Sequence, residues 1–217
     1  MTSSVKFFAT RAMTAGAVLA MTAGLAFAAE PVSTNTIINS LKPSSESTTL
    51  MTRSLSLDPQ KLEQKNRETT FINSMRNRPT RSLSMDERNQ LQSLTVDKPK
   101  IDLEINFDYN SASISGGSMS AVQHLGEALS DPQLKGSTFA VSGYTDAKGG
   151  EAYNQDLSER RADTIKKFLI DKYHIASSDL ITAGYGKTHL KDPTNPESGV
   201  NRRVQVINTE VQNTAQK

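Results

Sequence analysis

The clearest patterning lies in the second half of the chain. In KIDLEINFD, starting at Lys100, Ile101, Leu103, Ile105 and Phe107 face one side, while Asp102, Glu104 and Asn106 face the other. That period of two predicts a half-buried strand. The period then lengthens. Met119, Val122, Leu125, Ala128 and Leu129 fall on one face of a helix over Ser118–Leu129, as 3.6 residues per turn requires. A second strand is predicted at Thr138–Tyr144, a long helix from about Gly150 to Tyr173, a third strand at Asp179–Tyr185 and a fourth at Arg203–Ile207. Strands alternating with helices over about 110 residues predict an α/β fold, a two-layer sandwich with the helices on one face of the sheet.

The first half has weaker patterning. Residues 30–53 are rich in Ser, Thr and Asn with scattered Ile and Leu, which predicts a disordered tether. An echo follows, TRSLSLDPQ at 52–60 and TRSLSMDER at 80–88. Each copy leads into a helix start. Asp58-Pro59 places an N-cap before a first-turn proline, and Ser84 with Glu87 forms a capping box. The first helix carries Leu62, Phe71, Ile72 and Met75, the second Met85, Leu91 and Leu94. Two accounts of the echo stand: a repeated docking element, or a duplication that spaces a domain from a membrane. The expected organisation is a leader at 1–28, a tether with a short helix at 29–79, a helical lead-in at 80–98, a domain at 99–210 and a flexible tail at 211–217.

The leader reading rests on Lys6 and Arg11, the uncharged run Ala12–Leu25 and the Ala26-Phe27-Ala28 site. Together they predict export and cleavage after Ala28. The rival, a retained anchor, requires roughly 20 strongly apolar residues, and this run is diluted by Thr14, Gly16, Thr22 and Gly24. Lys6 and Arg11 are two of the 25 basic residues, so 23 basic and 23 acidic residues follow the leader. That balance argues against nucleic acid as a partner. The absence of cysteine excludes disulfides, thiol catalysis and thiolate metal sites. Neither a Gly-x-Ser-x-Gly elbow nor a His-Glu-x-x-His metal site is present. No enzyme, cofactor or metal is expected.

One feature of the long helix requires explanation. Leu157, Ile165, Phe168 and Leu169 form its apolar stripe. Arg161 lies on that stripe, four residues from both Leu157 and Ile165, with Asn154 and Ser158 along the same edge. Arg160 lies elsewhere, four residues from Asp156, on a solvated face. A guanidinium at a core edge needs a partner. The nearest acid by design is Asp146 in the preceding loop, and a bridge between the two would tie loop to helix; a functional role for Arg161 is the alternative.

The stretch TDAKGGEAYNQDLSERRA, Thr145–Ala162, resembles the OmpA-like peptidoglycan-binding signature T-D-x-x-G-x(4)-N-x-x-L-S-x-x-R-A. Thr145, Asp146, Gly149, Asn154, Leu157, Ser158, Arg161 and Ala162 fall in step. INFDYNSASI, AGYGKTH and NRRVQV resemble flanking segments of the same family, and the likeness covers about 100–208. It implies a mixed four-stranded sheet in the order βαβαββ. It also implies non-covalent binding of peptidoglycan through meso-diaminopimelate of the peptide stem, anchoring or organising a Gram-negative envelope. Asp146 matches the position that takes the ligand's ammonium and Arg161 the one that takes its carboxylate. Asn110, Asn154 and Arg203 are secondary candidates. Asn154 serves either the ligand or the Thr145–Gly149 loop, and either Arg203 or Arg202 borders the pocket. Lys187 departs from the acid that the family often has after G-x-G. The expected location is periplasmic, with outer-membrane association. The alternative is a wall-binding arm of a larger complex, with an outer-membrane or envelope protein bound to residues 30–99.

Overall fold

The structure is a computed structural model that describes residues 32–43, 59–79, 82–108 and 111–212, with side chains as far as 210. The leader, the tail beyond 212, most of the first TRSL copy and Asn110 lie outside the described residues. The elements are α1 (Thr34–Leu41), α2 (Pro59–Met75), α3 (Met85–Leu94), β1 (Lys100–Leu103), α4 (Met119–Leu129), β2 (Ser137–Gly143), α5 (Glu151–Tyr173), β3 (Leu180–Gly184) and β4 (Val204–Gln212). The sheet order is β1-β4-β2-β3. β2 and β3 run parallel, joined across by α5, and β4 is antiparallel to both β1 and β2. This is the expected mixed four-stranded sheet, in the expected order from β1 onward.

The first sheet face carries the core that the alternation predicts. Leu103, Val141, Val204 and Val206 of the strands pack against Val122 and Leu125 of α4 and Ile165 and Leu169 of α5. β1 stops at Leu103, short of the predicted strand, because its partner ends. Leu103 pairs with Val204, the first residue of β4. Beyond it Ile105 stays buried, and Phe107 makes an isolated bridge to Ile114.

Residues 32–43, inside the expected tether, are packed on the domain. Ile37, Ile38 and Leu41 of α1 lie in the main core. Ser33 caps the helix, and Leu41 O accepts from Asn208 Nδ2 at 2.9 Å. Three apolar residues in a Ser/Thr/Asn-rich context look like disorder by composition. Their burial against α4 and the sheet decides otherwise.

The second sheet face is covered too, so a third layer is added to the expected two. Ile72 and Met75 of α2, with Leu83 and Leu91, pack on Ala140, Tyr144, Ile181, Tyr185 and Ile207. Two shielded ion pairs fasten this layer: Arg76–Asp179 at 2.8 Å and Arg88–Glu159 at 3.1 Å. The second TRSL copy is therefore docked, with Leu83 buried and the Ser84–Glu87 capping box formed. On the edge strand β3, α5 supplies donors to backbone carbonyls. Lys166 Nζ reaches Leu180 O and Gln155 Nε2 reaches Gly184 O, each at 2.7 Å. Occupied carbonyls blunt an edge that would otherwise invite strand pairing.

Candidate functional site

The site gathers where β2 ends and α5 begins. Thr145 N donates to Gly186 O at 2.8 Å and Ala147 N to Pro196 O at 3.0 Å, so the backbone on both sides of Asp146 is held. Asp146 is 7% exposed. Its Oδ1 accepts from Lys148 N at 3.1 Å, and its Oδ2 from Arg202 Nη1 at 2.7 Å. Gly149 follows with φ of 84°, a left-handed conformation that favours glycine. Gly150 then caps α5. Asn154 Nδ2 donates to Lys148 O at 2.7 Å, the loop-tying one of its two expected roles.

Close helix–sheet packing brings α5 to this loop. A Cβ on Gly143 would run into Ser158 O, and one on Gly184 into the backbone N of Glu159. Ser158 Oγ also accepts from Gly186 N at 2.8 Å, which couples α5 to the β3 end.

Arg161 is 8% exposed, on the inner stripe as the wheel predicts. Its guanidinium lies 4.7 Å from the centre of the Phe107 ring, a cation–π geometry. Its Nε donates to Ser111 O at 3.4 Å. Among the described residues no carboxylate lies within ion-pair distance of it. The bridge to Asp146 does not form, because Arg202 holds Asp146 instead. Burial pushes the Arg161 guanidinium below its ordinary pKa; Tyr153 raises it, Arg202 lowers it and Asp146 raises it. Arg160 pairs with Asp156 at 2.8 Å on the solvated face, as expected.

The two arginines before Val204 separate. Arg202 faces Asp146. Arg203 turns to the second sheet face: its guanidinium stacks 3.9 Å from the centre of the Tyr144 ring, its Nη2 donates to His189 O at 3.2 Å, and its Nε lies 3.5 Å from Asp102. Successive strand residues point to opposite faces, and Val204 and Val206 belong to the helix-covered core. Counting back from Val204 puts Arg202 on the pocket side and Arg203 away from it. That parity was the signal available in the sequence, and it corrects Arg203 as a site candidate. Asn110 lies outside the described residues.

The three histidines have other surroundings. His124 bonds to Val32 O, His174 is the left-handed C-cap of α5, and His189 sits edge-on to Tyr185. Among the described residues no group of His, Asp and Glu is arranged to hold a metal, and no helix is long and apolar enough to cross a membrane.

Residues 106–203 match the model of the OmpA family. Outer membrane porin F of Pseudomonas fluorescens is 34% identical over 108 residues, 49% of this chain and 32% of that protein. Outer membrane protein A of Escherichia fergusonii is 35% identical over 86 residues, 40% of this chain and 35% of that protein. The chain thus spans about a third of the length of these curated relatives. Among solved structures, the OmpA-like domain of FopA1 from Francisella tularensis aligns with a TM-score of 0.44 at 23% identity, covering 51% of this chain and 73% of that one. Residues 106–203 of this chain form a domain of the OmpA family.

Proposed function

We propose that this domain binds peptidoglycan non-covalently by reading the zwitterionic end of diaminopimelate in the peptide stem, and so holds the chain to the wall in the periplasm. The observation that carries this reading is Arg161. It is a buried guanidinium with no acid within ion-pair distance among the described residues, beside an Asp loop that is fixed from both sides. An uncompensated buried charge costs several kcal/mol. A ligand carboxylate offsets that cost with two parallel N–H bonds from the planar fork. Asp146 takes the ammonium. A carboxylate offers about four lone-pair positions, of which Lys148 N and Arg202 use two.

Two wall types test the proposal. Sacculi with diaminopimelate in the stem are expected to retain the protein on sedimentation, and free meso-diaminopimelate to release it. Walls with lysine at that position lack the second carboxylate and are expected to retain little. Equal retention by both wall types would contradict the diaminopimelate reading.

A further inference from the structure

We infer that Asn201 is the positioning residue of the Asp146 carboxylate, the shared origin of both the backbone and the side-chain contacts that one loop makes to it. The inference rests on the wall-binding reading above and adds a residue to it. Asn201 is 0% exposed. Its Oδ1 accepts from Asp192 N at 2.9 Å, and its Nδ2 approaches Pro196 O at 3.0 Å, Asn195 O at 3.1 Å and Asp192 O at 3.4 Å. One amide thus gathers the strip 192–196 around itself.

The loop 192–202 reaches Asp146 along two paths. Through the backbone, Pro196 O accepts from Ala147 N at 3.0 Å, one residue past Asp146. Through a side chain, Asn201 is followed directly by Arg202, whose N donates to Gly199 O at 2.9 Å and whose Nη1 meets Asp146 Oδ2 at 2.7 Å. The remaining tie between the loops, Lys148–Glu197 at 3.9 Å with both side chains largely exposed, contributes little. The loop tip has separate support, since Asp192 Oδ1 accepts from Thr194 N at 3.1 Å and Asn195 N at 3.2 Å. A change at Asn201 therefore loosens the grip on Asp146 while leaving the tip its own bonds.

A double-mutant cycle on the full chain tests this, with sacculus affinity read per folded molecule for wild type, Asn201→Ser, Asp146→Asn and the double variant. Asn201→Ser should weaken binding roughly tenfold in the wild-type background and hardly further in the Asp146→Asn background, the non-additivity of coupled neighbours. The same loss in both backgrounds, or wild-type binding by Asn201→Ser, would overturn the inference. Wild-type binding by Asp146→Asn alone would instead end the wall-binding reading itself. Asn201→Asp keeps the acceptor for Asp192 N but has no N–H for Pro196, and it repeats the cycle if the serine variant does not fold. Failure of both variants to fold would place Asn201 in the stability of the whole domain and also overturn its assignment to Asp146.

Discussion

Arg160 and Arg161 are neighbours in sequence with opposite surroundings, and the helical wheel alone separated them. Asp146's partner was less legible. It depends on how the loop 192–201 folds back, which no local period encodes, whereas the choice of Arg202 over Arg203 was available from strand parity. Two titrating residues give predictions at this scale. Burial holds the Lys166 amine below its usual value of 10.5. Between the folded and unfolded pKa values the unfolded chain binds more protons, so stability rises with pH in that window. Denaturant midpoints of wild type should therefore gain on those of Lys166→Met as pH rises toward 10.5; parallel curves would contradict the burial effect. Glu87 is held at about 2 rather than 4.5, first by the Arg78 hydrogen bond and then by the Ser84 backbone. Its contribution is full above 4.5 and fades as pH falls through about 2, and Glu87→Gln should remove that acid sensitivity. Replacing its capping partner, Ser84→Ala, should cost about 1 kcal/mol.

At the scale of elements, the strands and helices from β1 onward were legible because each has a clean period and a long enough run. α1 was not. It has eight residues, and an isolated helix that short is marginal in water, so its stability comes from the core it enters. Leu41→Ala, at a fully buried position, should lower the unfolding free energy by about 2–5 kcal/mol. Leu62→Ala, on the exposed start of α2 at 45% exposure, should stay within about 0.5 kcal/mol of wild type. Urea unfolding of both variants checks the contrast; equal midpoints would return residues 34–41 to the status of a tether. The same logic applies to α3, whose low apolar content hid its docking: Leu91 and the neighbouring Leu83 meet the second face of the sheet.

For the whole molecule, the sheet is covered on both faces, and the residues proposed to bind the wall come from the loop after β2, the first half of α5 and the turn before β4. The described elements ahead of β1 are thus part of the folded unit, through the buried residues of α1, α2 and α3. The leader motif makes a separate prediction, that the exported chain begins at Ala29. Mass spectrometry of the envelope fraction reads it directly, and an intact Met1 would point to a retained anchor. The central claim is that Arg161 holds a ligand carboxylate, and its most direct test is sacculus binding per folded molecule by Arg160→Ala, Arg161→Ala and Arg161→Lys. Losing one partner of a desolvated charge pair costs roughly 2–5 kcal/mol, so Arg161→Ala should bind about 30-fold or more weakly at 1.4 kcal/mol per tenfold. Arg161→Lys keeps the charge but not the fork and should also bind poorly, while Arg160→Ala binds nearly as wild type. Equal binding by all three folded variants would contradict the account.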